Sequence, residues 1–279
     1  PTLEALLTPG ANDISLPAYD WSHPLAVHVE CCRLAYLHAE LVDSERQRLI
    51  AALAALGYQL VDIAKSTATG TYAFCATHVA EQRAVIAFRG TEPTDVRDIG
   101  TNLLALPTNW GHNGAMVHAG FALAHDSVRE DVARWAAALP PATGLTLVGH
   151  SLGAALATLA GTQYQHAHVT TIGGPRVGNR AFVESIPDGQ LTRIVGCADL
   201  VAALPPEGIF GYSHPAACTY IDSAGHLHTD PDPAVVAADQ QAGRAAYLTR
   251  YPLRPDRVPL RDLADHSPVN YLNAFRRTA

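Results

Sequence analysis

The stretch Leu145 to Gly161, reading LTLVGHSLGAALATLAG, admits few folds. Leu145 to Val148 are apolar or β-branched and suit a buried strand, while the Ala and Leu run beyond Gly153 suits a helix. Between them stands Gly149-His150-Ser151-Leu152-Gly153, which forces the chain through a sharp strand-to-helix turn with a serine at its apex. A serine there takes strained backbone dihedrals, and the glycines two residues to either side remove the Cβ atoms that would hold strand and helix apart. The hydroxyl is then presented outward above a helix N-terminus, whose partial positive charge favours an anion developing nearby. A bare G-x-S-x-G also arises by chance in Gly-rich turns; the strand before it and the helix after it are what favour a nucleophile.

A parallel sheet built around such a unit needs a sizeable chain, and 279 residues supply one domain, 1–279, without requiring a second. The apolar fraction of 48% and charged fraction of 16% are those of an ordinary globular protein. Lys and Arg number 19 against 26 Asp and Glu, and the basic residues are scattered, which argues against nucleic acid as a partner. No run approaches the ~18 apolar residues of a membrane span, so no transmembrane segment is expected and the chain is expected to be soluble. The sequence begins at Pro1 without a basic-then-apolar leader; an export signal is expected to have been trimmed or never to have existed, and the compartment is not legible. Five cysteines in no C-x-x-C spacing are expected to be mainly buried free thiols.

Pro1 to Pro24 reads as a surface arm rich in turn formers, and Leu25 to Ala55 as two helices with a break near Asp43-Ser44. Tyr58–Ala64, Thr71–Val79 and Arg83–Phe88 have strand composition, the last a nearly continuous apolar run suited to burial on both faces. In 92–107, Val96, Ile99, Leu103 and Leu106 lie on one face of a short helix ended by Pro107; the segment is either a lid over the serine or an ordinary surface helix. Further on, a helix over Asp126–Ala138, strands over His168–Gly173 and Leu191–Cys197, and a helix over Ala181–Ser185 continue the alternation. Ala217–Asp222 and Gly225–Thr229 suggest a hairpin, Ala234–Tyr247 a helix, and Val269–Arg276 a last one. Strands alternating with helices imply an α/β fold with a mainly parallel central sheet and helices on both faces.

A serine hydroxyl is a weak nucleophile and needs a base, usually histidine, and an acid that orients the imidazole. In sheets of this kind the chain order is nucleophile, acid, base, and catalytic groups collect at the carboxyl ends of the strands. Asp199, just past the strand ending near Cys197, is the candidate acid; Asp188 lies at the wrong end of that strand. Of the 14 histidines, only His214, His226, His228 and His266 follow Asp199. His226 and His228, two apart in a hairpin, could pair on a metal, but no further ligands cluster with them and a surface role is expected. His214 and His266 both remain as bases, with the position of His266 in a loop leading into the last helix favouring it. His150 reads as a core or surface residue, and His118, before Ala119-Gly120-Phe121, as a structural hydrogen-bonding one. The oxyanion of an acyl-transfer intermediate needs two donors: the N–H of Leu152 is one, and the Arg89-Gly90-Thr91 loop is placed to supply the other through Thr91.

Taken together, several separated motifs resemble the class 3 lipases, the fungal-lipase-like branch of the α/β hydrolases, over roughly 84–275. These are Val85–Thr91, Val117-His118-Ala119-Gly120-Phe121, Gly149–Ala157, Gly174-Pro175-Arg176-Val177-Gly178-Asn179, and Asp199 shortly before Leu204-Pro205-Pro206. The resemblance implies an α/β-hydrolase fold and a triad of Ser151, Asp199 and His266, since the family's Asp-His segment precedes an aromatic near the C-terminus, here Asp265-His266 and then Tyr271. It places His214 in the family's Tyr-Ser-His segment, outside the triad, and makes Thr91 and Leu152 the oxyanion hole. In the family's lid segment an Asp is commonly followed by Trp and, three residues on, by another Asp; here Asp98 is followed by Ile99, and Asn102 replaces the second acid. The implied activity is lipase-like hydrolysis of carboxylic esters without cofactor or metal, on a lipid substrate at a lipid–water interface. A triad says nothing about chain length, so short-chain, aryl or feruloyl esters and phospholipids remain open, as does a catalytically silent binding module on the same fold.

Overall fold

The structure, a computed structural model, describes residues 2–90, 106–111, 113–208, 210–215 and 217–277. The chain begins with helices α1 (Leu3–Leu7), α2 (Pro24–Leu34) and α3 (Asp43–Ala55), then strands β1 (Gln59–Ser66), β2 (Thr71–His78) and β3 (Arg83–Phe88). Beyond 91–105 come β4 (Pro107–Asn109), β5 (Met116–His118), α4 (Ala119–Asp126), α5 (Arg129–Ala138), β6 (Gly144–His150), α6 (Leu152–Gln163) and β7 (His168–Ile172). They are followed by β8 (Gly178–Asn179), α7 (Arg180–Glu184), β9 (Leu191–Gly196), β10 (Tyr212–Ser213), β11 (Thr219–Ile221) and β12 (Leu227–Thr229). Three helices, α8 (Pro233–Arg250), α9 (Arg261–Ala264) and α10 (Pro268–Asn273), complete the described chain.

Eight strands form one sheet in the order β1-β2-β3-β6-β7-β9-β11-β12. The five from β3 to β11 run parallel, and antiparallel partners close both sides. The mainly parallel sheet read from the alternation of elements is therefore present, and β6, which carries the serine turn, lies inside it. Burial on both faces explains the continuous apolar run of β3: Val85 and Ala87 face one core with α2 and α3, whereas Ala84, Ile86 and Phe88 face another with α5 and α6. Each large apolar side chain so buried contributes about 1.5–3 kcal/mol. A small antiparallel sheet, β10-β8-β5-β4, stands beside the main one.

Helix α6 is nearly encased, with every residue from Gly153 to Gly161 buried. Its small side chains let it lie close to β6 and β7. The N-terminal arm is more firmly held than its turn-rich sequence suggests. Arg33, buried on α2, makes a two-point contact with Glu30 at 2.7 Å and also donates from Nη1 to the carbonyls of Pro9, Gly10 and Asn12. Leu6 of α1 is buried against Tyr247, Val258 and Leu263. At one sheet edge, β1 is interrupted by an irregularity between Leu60 and Asp62 and carries exposed Lys65, features that discourage strand addition. At the other, β12 is three residues long.

The helix expected over 92–106 lies almost wholly outside the described residues, and Pro107, expected to end it, opens β4 instead. The helix expected from Asp126 is divided, α4 ending at Asp126 and α5 starting at Arg129. His118 is the N-cap of α4, its Nδ1 accepting from the Phe121 N–H at 3.3 Å. The last helix is shorter than expected, Pro268 to Asn273. All five cysteines are free, four of them buried and Cys218 half-buried.

Candidate active site

Ser151 caps the N-terminus of α6 with φ 58° and ψ −127°, a backbone conformation that costs a non-glycine residue about 1–3 kcal/mol. The surroundings hold it there. The Ser151 N–H donates to the Ile172 carbonyl of the neighbouring strand at 3.1 Å. A Cβ on Gly149 would overlap the Gly153 carbonyl, and one on Gly153 would overlap that of Phe88. Only glycine at both places lets strand, turn and helix close around the serine. Leu152 opens α6, so its N–H is among the first four of the helix, which have no intrahelical acceptor. With Gly90, Arg89, Thr69, Thr71 and Leu156 it lines a cavity of about 310 Å³ beside the turn. Thr91, the other expected oxyanion donor, lies outside the described residues, as does 92–105 of the expected lid.

Asp199 and His266 are brought together from opposite ends of the C-terminal third. His266 Nδ1 lies 3.0 Å from each carboxylate oxygen of Asp199. Because a carboxylate accepts, Nδ1 carries the proton, and the neutral ring keeps its lone pair on Nε2. Asp199 Oδ1 also accepts from the Val201 N–H at 2.9 Å, and Oδ2 from the Tyr271 hydroxyl at 2.6 Å. The Gly196 N–H in turn donates to the Tyr271 oxygen at 2.8 Å. Burial above all, then the Asp199 charge, pushes the Tyr271 hydroxyl well above its usual range, so it stays a donor. Asp265 accepts from the Ala198 N–H at 3.0 Å and from Arg261 Nε at 2.8 Å, tying the turn before the acid to the turn before the histidine. Burial raises the Asp265 carboxyl above its ordinary value.

The serine turn meets this pair through His150, whose ring lies 4.5 Å from that of His266 and whose Nε2 is 2.7 Å from the His266 carbonyl oxygen. His214, the other base left open by the sequence, is not paired with Asp199. Its Nε2 donates to the Ala202 carbonyl at 2.8 Å, and burial holds the ring well below its usual pKa. His226 and His228 both donate to Asp222 Oδ2, at 3.3 and 2.8 Å, on the exposed hairpin. Among the described residues no group of three or more His, Cys, Asp or Glu is arranged to hold a metal. The Gly-Pro-Arg motif after β7 also has a structural reading. Arg176 donates from Nη1 to the Ala203 and Pro205 carbonyls, at 2.5 and 2.9 Å, and from its backbone N–H to the Leu204 carbonyl, bracing the segment that follows Asp199. Tyr36 is not legible as a site residue in the sequence, for its partner His150 lies 114 positions away.

The parallel sheet with helices on both faces and a serine on the β6–α6 turn defines the α/β-hydrolase fold. A family model described as lipase (class 3) matches residues 85–209. A chloroplastic phospholipase A(1) of Arabidopsis thaliana is 33% identical over 156 residues, 46% of this chain and 35% of its own length. A secreted mono- and diacylglycerol lipase A of Penicillium cyclopium is 34% identical over 163 residues, 55% of this chain and 52% of its own. Among solved structures, a lipase from Rhizopus microsporus var. chinensis superposes with a TM-score of 0.61 at 26% identity, covering 81% of each chain. Over 85–209 the chain is thus similar to the class 3 lipases. It spans between a third and about half of the length of these two curated relatives.

Proposed function

We propose that the protein is a serine carboxylic ester hydrolase acting on acylglycerols, with the catalytic machinery in one α/β-hydrolase domain. The observation that carries this reading is the His266 ring, held through Nδ1 on Asp199 and lying 4.5 Å from the ring of the residue that precedes Ser151. In the proposed reaction Ser151 Oγ attacks the ester carbonyl carbon while His266 Nε2 takes its proton. The Leu152 and Thr91 N–H groups receive the oxyanion, and collapse expels the alcohol with the proton returned by His266. Water, activated by the same ring, then hydrolyses the acyl-enzyme. The similarity to a secreted mono- and diacylglycerol lipase supports a substrate met at a lipid–water interface. The match to a phospholipase A(1) supports a second reading, in which the ester belongs to a phospholipid.

The Ser151→Ala protein is expected to keep its circular dichroism spectrum, lose p-nitrophenyl ester turnover by ~10⁴-fold or more, and no longer react with a fluorophosphonate. Retained turnover would refute the nucleophile. His266→Ala should cost about as much and His214→Ala far less; the reverse order would move the base. Emulsified diacylglycerol, phosphatidylcholine and soluble short-chain esters assayed side by side separate the substrate readings. A jump in rate across the solubility limit is the outcome expected if 92–107 acts as a lid.

A further inference from the structure

His150 immediately precedes Ser151 in the serine turn and has no part in the reaction just proposed, yet it is 2% exposed and bonded at both ring nitrogens. At Nε2 the partner is the His266 backbone carbonyl, 2.7 Å away. A carbonyl cannot donate, so Nε2 carries the proton. At Nδ1 the partner is the Tyr36 hydroxyl, also at 2.7 Å. Burial first, and the neighbouring His266 second, hold the ring far below the usual histidine pKa, so one proton is all it has. Nδ1 is then bare and Tyr36 must donate to it. The direction of both bonds follows: Tyr36 O–H to Nδ1, and Nε2–H to the His266 carbonyl.

Tyr36 reaches further. Its hydroxyl fills the space that a Cβ on Gly90 would take, and that same Cβ would lie 2.9 Å from Ser151 Cβ. One chain of contacts thus runs from the end of β3, through Tyr36 and His150 on the serine turn, to the backbone of the base. The rings facing His150 are those of Tyr36 at 5.7 Å, His266 at 4.5 Å and Tyr271 at 6.3 Å.

Building on the Ser151–His266–Asp199 reading, we propose that His150 is a positioning residue, a two-ended clamp from Tyr36 to the His266 carbonyl that sets where the base stands relative to Ser151. Asp199 holds the base by its ring, and His150 holds it by its backbone. A displacement of about 1 Å at such a site costs on the order of 100-fold in rate.

His150→Phe keeps a ring and removes both bonds, and it should lower kcat ~10–100-fold while KM stays within about threefold. His150→Gln, whose amide N–H can reach the same carbonyl, should recover most of that loss. Tyr36→Phe should give an intermediate decrease. Wild-type kcat in His150→Phe, or a Gln variant no better than the Phe one, overturns the clamp. In the wild-type protein, ¹⁵N spectra of labelled histidine with the His150 signal assigned should show that ring neutral and protonated at Nε2 from about pH 5 to about 8. A His150 ring protonated at Nδ1, or titrating in that range, also overturns it, so the proposal is decided even if the variants do not fold. Ser151→Ala and fluorophosphonate labelling separate this failure from that of the catalytic reading. If labelling of Ser151 persists and His150→Phe is unimpaired, only the clamp is wrong.

Discussion

The tightest constraint around the acid is exerted by a residue with no side chain. Gly173, just beyond β7, has φ +55°, and a Cβ there would overlap Asp199 Oδ2 and lie 3.1 Å from the Tyr271 hydroxyl and 3.2 Å from His266 Nδ1. Gly173→Ala must therefore push Asp199 off His266 or move the end of β7. The expected outcome is a fall in kcat of ~100-fold or more, while the left-handed backbone alone costs stability only about 1 kcal/mol. Steady-state kinetics beside a thermal melt checks this, and a loss of stability with unchanged kcat would contradict it. This residue also shows where reading the sequence stops. Gly149 and Gly153 were legible because strand, turn and helix are contiguous there. Gly173 needs the third dimension, since its constraint comes from Asp199, His266 and Tyr271. The two bonds of His150 are illegible in the sequence for the same reason, its partners being 114 and 116 positions away along the chain.

Among the elements, those with a long period were legible and those without were not. The β6–α6 unit, the two N-terminal helices and the apolar β3 follow from local pattern. The sequence hairpin at β11 and β12 was also legible, but not that β11 pairs in parallel with β9 and so widens the main sheet. Strands of two or three residues, such as β8 and β10, carry no readable alternation. The N-terminal arm reads as a surface arm rich in turn formers, and how firmly it is held is not legible because the charge that fastens it is Arg33, an ordinary surface residue by type. Both Arg33 and Glu30 are buried, so Arg33→Met leaves a stranded carboxylate and three carbonyls without their donor. It should destabilise the protein by about 3–5 kcal/mol in urea unfolding. Adding Glu30→Met should recover the part due to the carboxylate. A double variant as unstable as the single one would place the cost in the arm's carbonyls instead. The arm bears on the site as well, because the Ser267 hydroxyl, next to His266, donates to the Ala5 carbonyl of α1.

For the whole molecule, acid is the expected weakness. Burial lowers the pKa of His28 to about 4 and also lowers those of His125, His150, His168 and His214. Unfolding restores ordinary histidines, so the unfolded chain binds more protons between the lowered values and about 6.5, and stability rises with pH there. It should be lost as pH falls from about 6.5 towards 4, with His28 alone accounting for up to about 3 kcal/mol. Urea midpoints at pH 7, 6, 5 and 4.5 would measure the slope, on the order of the histidine range. His28→Gln, able to keep a bond to the Thr170 hydroxyl, should flatten it. An unchanged slope would shift the acid lability to the other four rings.

The lone interruption in β1 has a practical consequence of a different kind. Lys65, beyond that irregularity, is the chain's single lysine; every other strongly basic side chain is an arginine. It is exposed on the edge strand, three strands from β6, or about 14 Å across the sheet. Coupling through side-chain amines can therefore fasten the protein to a support or a dye at one address only. A molecule immobilised through Lys65 would be tethered by this sheet edge, which gives surface-based measurements a defined orientation.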